Sequence, residues 1–136
     1  MVIGGDGTVG GTFDTLYATN HKFYGEMDFF LAVPAHSLNL GLIDIGGRLA
    51  AVPGKKVKVH LDAHHLRSVE SGSDNTFGTE LDLKVIYAPI EHVAFRALYG
   101  IFLPGDLMRS RFLATAPAST ELKREHFFYV TTDVTF

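Results

Sequence analysis

The feature that most constrains this fold is an alternation of apolar and polar residues in steps of two. In FGTELDLKVIY, which begins at Phe77, one face carries Phe77 and the odd-numbered positions through Tyr87. The other face carries Glu80, Asp82 and Lys84. A period of two fits a β-strand with one apolar face and does not fit a helix. The segment therefore predicts a long amphipathic strand.

The same alternation recurs along the chain. It is clear in VKVHLDAHH from Val57, in HVAFRALYGIFL from His92 and in the last eleven residues, and it is weaker in MDFFLAV from Met27 and LIDIGGRLAAV from Leu42. This gives six predicted strands in all. Tight turns containing Pro53 and Pro89 alternate with long loops at 67–76 and 104–126, and no helical crossover is evident. The pattern predicts an all-β, antiparallel, up-and-down meander.

Composition excludes several classes. The chain has 136 residues, a single-domain length, and 46% of them are hydrophobic. Its net charge of -3 is scattered, which argues against nucleic acid as a partner, and without cysteine it can form neither disulfides nor thiolate metal sites. MVIGGDG lacks the basic and apolar regions of a signal peptide, so an exported protein would carry this sequence as a mature form or a fragment. Residues 1–26 read as a Gly-rich loop or extra strand, and residues 27–136 as the strand region.

A meander of this kind suits either a soluble barrel or a membrane barrel. Phe77 and Tyr87 stand at the two ends of one face, about 25 Å apart along a barrel axis for a strand tilted by ~40°. That is the height of a lipid-facing band between two aromatic girdles, and Phe128 and Phe136 bracket the last strand similarly. Four segments also exceed the usual ~5–6 residues of a soluble strand. We expect a transmembrane β-barrel, with a soluble lipocalin-like binder as an alternative.

Two stretches resemble known outer-membrane proteins. The final strand ends on Phe136 with Val134, Val130 and Phe128 at alternate positions before it, which resembles the C-terminal signal read by the barrel assembly machinery of bacterial outer membranes. LYATNHKFYGEMDFF (16–30) and NTFGTELDLKVIYAPIEHVAFRALYGIFLPGDLM (75–108) resemble the C-terminal part of the alginate export family of outer-membrane porins. The resemblance implies a bacterial outer-membrane channel for a hydrophilic solute, which in such a family is an anionic saccharide.

The predicted strand number is too small for a complete barrel. Single-chain bacterial barrels begin at about eight strands, and an open edge in lipid leaves backbone groups unpaired. We therefore expect a partial barrel in this chain, completed either by other chains or by a missing N-terminal portion.

The polar faces of the strands supply the candidate site. A water-filled lumen would keep their side chains hydrated, and the solute-facing candidates are Arg48, Lys58, His60, Asp62, His64, Glu80, Asp82, Lys84 and Arg96. The resemblance implies a basic pathway, for which the four cations of this set are the candidates. The acidic members can equally form cross-strand ion pairs that brace the wall.

The remaining motifs are weak. His60, Asp62 and His64 share a face, but successive same-face residues lie ~7 Å apart, too far for one ion, so we expect no metal and no cofactor. GDGTVG from Gly5 matches a dinucleotide fingerprint without its flanking strand and helix, which indicates a flexible terminus or turn. No recognisable catalytic motif is present, and we expect no enzyme. A passive channel is the first hypothesis, and a barrel scaffold that encloses or anchors a partner without conducting is its rival.

Overall fold

The fold is all-β, with two short helices. The computed structural model describes residues 2–3, 21, 24–70, 72–113 and 122–136, so GDGTVG lies outside the described residues. In chain order the elements are β1 (Val2–Ile3), α1 (Val33–His36), β2 (Leu42–Gly54), β3 (Val57–Arg67), β4 (Thr76–Ile90), β5 (Val93–Pro104), α2 (Asp106–Leu113) and β6 (Glu125–Val134).

The strands form one antiparallel sheet in the order β1-β2-β3-β4-β5-β6, so the predicted meander is confirmed. Two-residue turns at 55–56 and 91–92 join β2 to β3 and β4 to β5 at one end. The connections from β3 to β4 and from β5 to β6 are longer, and they leave the strands at the opposite end. In the part of the chain that the structure describes, β6 pairs with β5 alone. The sheet is therefore open and is not a closed barrel.

The register gives the sheet two distinct faces. Arg48 pairs with Asp62, which pairs with Asp82, and these residues define the inner face. One residue further along, Leu49 pairs with Leu61, which pairs with Leu83, and these define the outer face. The outer face is apolar and lies open: the side chain of Leu49 is 71% exposed and that of Phe128 is 66% exposed.

The prediction of a strand from Met27 to Val33 is wrong. This stretch is made of turns that lead into α1, and residues 24–33, the inner segment, lie against the inner face. Tyr24, Gly25 and Asp28 have φ angles of 59°, 97° and 61°, left-handed values that reverse the chain too sharply for an extended strand. The predicted division of the chain at residue 26 therefore falls inside the inner segment.

An apolar core lies between the inner segment and the sheet, near the long connections. Phe30 packs on Phe77 with ring centroids 5.1 Å apart, and Phe29 packs on Phe102 at 4.3 Å. Both contacts bring the inner segment onto the sheet. The buried members of the core are Tyr24, Phe30, Val33, Leu42, Leu66, Phe77, Phe102, Leu107 and Met108.

The core contains one aromatic that the alternation assigns to the outer face. Phe77 is 1% exposed, so its predicted place as an exposed girdle residue at the opposite end of β4 from Tyr87 is wrong. The cause is a register shift at the start of β4: Leu66 pairs with Gly78, but Arg67 pairs with Thr76. Phe77 is the extra residue of this irregularity, and a bulge of this kind re-aims a side chain.

Helices do not contribute a membrane crossing in the described ranges. Neither α1 nor α2 has the length and apolar character that a membrane-spanning helix needs.

Candidate functional site

The candidate site is the inner face together with the segment that docks on it. The backbone N–H of Met27 donates to Glu80 Oε1 at 2.8 Å, and that of Glu26 donates to Asp82 Oδ2 at 3.3 Å. The Glu26 carboxylate also forms an ion pair with Lys84. Two backbone donors and one side-chain pair thus attach the inner segment to β4.

Small residues allow this close approach. A side chain on Gly100 would place its Cβ 2.7 Å from Asp82 Oδ1 and 2.9 Å from Met27 Cγ, closer than real Cβ contacts come. Gly100 pairs with Asp82 in the register, directly beneath the docked chain. Because Gly100 has no side chain, Met27 can pack directly against the sheet at this position.

A histidine fixes the turn that precedes the docked residues. His21 Nδ1 donates to the Glu26 carbonyl at 2.6 Å and lies 3.0 Å from Asp28 Oδ2. The His21 backbone N–H donates to Asp28 Oδ1 at 2.7 Å. The ring of His21 stacks on that of Tyr129, with centroids 4.9 Å apart. These contacts tie the inner segment to β6 as well as to β4.

Two carboxylates lie beneath the inner segment with incomplete hydrogen bonding. Glu80 and Asp82 are 0% exposed, and Glu80 Oε2 and Asp82 Oδ1 have no hydrogen-bond partner within the described residues. Burying a charged group without full hydrogen bonding is costly, so each such group in a native structure needs an explanation. Stability alone therefore gives no reason for two acids here.

A second cluster lies near the β2 edge of the sheet. Arg48 donates to both carboxylate oxygens of Asp62, with Nη2 to Oδ2 at 2.7 Å, and His64 Nδ1 lies 3.0 Å from each carboxylate oxygen of Asp44. Each carboxylate orients one donor-bearing side chain. The two pairs border an open pocket of about 350 Å³, lined by Asp44, Gly46, Gly47, Arg48, Asp62 and His64.

The structure puts all nine predicted solute-facing residues on the inner face, but divides them into separate contacts. Arg96 pairs with Asp133 at 3.0 Å on the neighbouring strand, Lys58 is exposed, and His60 Nδ1 has no hydrogen-bond partner in the described chain. The predicted cross-strand ion pair is confirmed for Asp62. For Glu80 and Asp82 it is wrong, because they accept backbone N–H groups from the inner segment.

Metal ligation has no support from this geometry. Within the described residues, no group of three or more His, Cys, Asp or Glu side chains is placed to hold a metal ion. On β3, which carries His60, Asp62 and His64, Asp62 forms an ion pair with Arg48 and His64 pairs with Asp44.

Several residues of the site are absent from the prediction. Asp44 and Asp133 share the inner face with the predicted set, and the alternation of β2 and β6 contains that signal. Glu26 lies in a segment without strand periodicity, so no local pattern indicates its pairing with Lys84, 58 residues away. The hydroxyl of Tyr129 donates to Glu26 Oε2 at 3.4 Å. The alternation of β6 places Tyr129 on the inner face, but the prediction selected charged and histidine side chains and so left it out.

The residues predicted for the lipid interface and for assembly lie on the outer face, apart from Phe77 and from Phe136, which lies beyond the end of β6. Tyr87 lies near the short-turn end of β4, and Phe136 follows β6 at the same end. Phe128, Val130 and Val134 are exposed along β6. Comparison with protein-family models, curated proteins and solved structures finds no match to this chain.

Proposed function

We propose that this chain forms part of the wall of a bacterial outer-membrane β-barrel that acts as a porin-like channel for a hydrophilic solute. One observation carries the proposal: the two faces of the sheet differ sharply in polarity, and the apolar outer face is the exposed one. Its outer face exposes aliphatic and aromatic side chains along five long strands, while its inner face buries Asp62, Glu80 and Asp82. Lipid against the outer face and a polar interior on the side of the inner face suit this arrangement.

Exposed apolar area supports a lipid environment. The exposed large side chains of the outer face extend from Leu49 on β2 to Val134 on β6. Monomeric soluble proteins seldom expose contiguous apolar patches above a few hundred Å². A bilayer removes that penalty, whereas the carboxylates and cations of the inner face would be costly in lipid.

Strand dimensions point the same way. A strand needs ~9–11 residues to cross a bilayer with tilt, and β2 to β6 have 10 to 15 residues each. Short turns at one end and long connections at the other are typical of bacterial barrels, whose periplasmic turns are short. The chain end at Phe136 lies with the short turns.

A closed barrel requires more strands than these, and the strand directions constrain their arrangement. Copies inserted in the same orientation would bring β6 of one alongside β2 of the next in parallel, because β2 and β6 run in the same direction. β1 runs antiparallel to β2 and pairs with its first two residues. A longer strand paired with β2 where β1 now pairs would keep the whole wall antiparallel. Either another chain or an N-terminal portion could supply that strand.

The docked inner segment favours a second candidate, a scaffold barrel that conducts nothing. Its attachment by Glu80, Asp82 and Lys84 places a turn of chain over the polar face where solute would pass. A lumen filled in this way could enclose or anchor a partner instead of opening to solute.

Conductance separates the two candidates. The protein, extracted in detergent and inserted into a planar bilayer, is expected to give discrete single-channel steps and to show heat-modifiable migration on gels. A barrel that inserts and migrates in this manner but stays electrically silent would favour the scaffold. A protein that remains monodisperse at high concentration without detergent would contradict both and favour a soluble lipocalin-like binder.

A further inference from the structure

The outer face of the sheet carries basic side chains at one end only. Every acidic residue of β2 to β6 has inner-face parity. The cations with the same parity are Arg48, Lys58, Lys84 and Arg96. On the outer face, the basic or imidazole side chains are His65, Arg67 and His126, all at the end of the sheet where the long connections lie. Arg124, exposed directly before β6, adds a second arginine at this end.

We infer that these four residues, the basic rim, bind the phosphates of anionic lipid headgroups. The inference rests on the proposed barrel, in which the outer face contacts a bilayer, and it adds a lipid-binding site to that barrel. Headgroups border the hydrocarbon region, which is the position of the basic rim at the end of an apolar face. Basic side chains close to a membrane surface attract anionic lipids.

Arg67 keeps its positive charge available to such a ligand. Its Nε donates to Asn75 Oδ1 at 3.3 Å, and a neutral amide leaves the charge uncompensated within the described residues. Arg48 and Arg96 on the inner face instead form ion pairs with carboxylates. The terminal nitrogens of a guanidinium can bind a phosphate in bidentate geometry.

The two histidines of the basic rim are oriented as hydrogen-bond donors. His65 Nδ1 lies 3.0 Å from Thr79 Oγ1, and His126 Nδ1 lies 2.6 Å from the Tyr99 hydroxyl. When the hydroxyl donates to Nδ1, the neutral imidazole carries its proton on Nε2. Each ring therefore offers an N–H to an acceptor without being charged, two residues from an arginine of the basic rim.

Acidic side chains near the basic rim do not occupy it. Glu125 lies between Arg124 and His126 in sequence but has inner-face parity. Glu70 and Asp74 belong to the connection between β3 and β4, and neither forms an ion pair with the basic rim in the part of the chain that the structure describes. An anion at this end of the outer face therefore meets positive charge.

Apolar surface beside the basic rim favours a lipid headgroup over dissolved phosphate. Phe128, two residues beyond His126, is 66% exposed, and Leu81, two residues beyond Thr79, is 39% exposed. Dissolved phosphate would gain nothing from these side chains, whereas the acyl chains of a bound lipid would cover them.

Native mass spectrometry of the detergent-solubilised protein, titrated with phosphatidylglycerol or with phosphatidylcholine, tests the inference. The anionic lipid is expected to bind more tightly than the zwitterionic one. Arg67→Gln and Arg124→Gln should each weaken phosphatidylglycerol binding about fivefold, the factor that corresponds to ~1 kcal/mol per basic residue at an anionic membrane surface. Because Arg124 is exposed and lies outside the strands, its variant serves if Arg67→Gln does not fold.

Lys58→Gln is the matched control, because it removes the same charge from the inner face and should keep the wild-type affinity for phosphatidylglycerol. Equal affinities for the two lipids, an equal loss in Lys58→Gln, or displacement of the lipid by inorganic phosphate alone would overturn the inference. If the protein still inserts into lipid vesicles, any of these results would leave the proposed barrel in place. Failure to insert would remove the barrel and, with it, the role of the basic rim.

Discussion

Glu80 on β4 accepts a 2.8 Å hydrogen bond from the backbone N–H of Met27, a residue 53 positions earlier in the chain. With the neighbouring bond from Glu26 to Asp82, it attaches the inner segment to the wall. The inner segment therefore depends on acceptors that lie in one strand far along the sequence.

Glu80→Ala is expected to loosen the inner segment, because the Met27 N–H loses its acceptor beneath a buried surface. Leaving such a donor unpaired costs about 1–3 kcal/mol. Hydrogen exchange at the Met27 amide should become correspondingly faster, and the open conductance of the channel should rise. Glu80→Gln keeps an acceptor oxygen and should exchange nearly as slowly as the wild type. Equal exchange rates in all three proteins would show that the bond does not hold the segment.

Phe77→Ala should be among the most destabilising substitutions. Phe77 is buried against Phe30 in the inner core, and truncating a core phenylalanine costs ~3–5 kcal/mol. Phe128→Ala, on the exposed outer face, is the control and should cost far less. Urea unfolding from detergent micelles measures both. A larger effect at Phe128 would mean that Phe77 faces lipid after all.

Leu61→Arg and His60→Arg place the same side chain on opposite faces of β3 at nearly the same depth. Arginine facing the middle of a bilayer costs about 2–4 kcal/mol, whereas a lumen face hydrates it. The folded fraction in lipid vesicles should fall for Leu61→Arg and stay close to the wild type for His60→Arg. The reverse order would assign the apolar face to the interior.

Two cross-strand Arg–Asp pairs differ in burial and allow a comparison. Arg48→Ala leaves Asp62, whose side chain is 3% exposed, without its cation, and should destabilise the fold by ~1–3 kcal/mol. Arg96→Ala leaves Asp133, which is 47% exposed, and should cost less than ~1 kcal/mol. The urea midpoints of unfolding measure both changes, provided that the dependence of the unfolding free energy on urea concentration stays the same. Equal costs would indicate that Asp62 is hydrated when its partner is removed.

The polypeptide mass of the detergent complex tests how the wall is completed. For the 136-residue chain expressed alone, we expect at least twice its mass of 14.9 kDa, because membrane barrels need about eight strands. Native mass spectrometry after removal of detergent gives this number directly. A conducting complex with the mass of a single chain would contradict the requirement for added strands.

Strand alternation predicts much of the sheet. The residues of β3, β4, β5 and β6 follow a period of two because the pleat itself imposes it, and the inner-face positions of Lys58, Asp62 and Arg96 follow from parity within each strand. These features can be predicted without knowing which strands pair with each other.

The inner segment and the bulge do not follow from local pattern. Glu26 meets Lys84 across 58 positions, and the aromatic pair of Phe29 and Phe30 suits either a strand or a packed turn. The bulge at Phe77 depends on how β3 pairs with β4, and parity within β4 alone assigns that side chain to the wrong face.

The distance along the chain between the inner segment and its acceptors sets an order of events. Residues 24–33 leave the ribosome well before β4. Their backbone N–H groups have no acceptors until β4 has formed and presents the carboxylates of Glu80 and Asp82 on one face. Contacts of such long range form late in folding, because loop closure precedes any gain from them. The inner face of the sheet is thus covered late in folding, by a segment that is synthesised early.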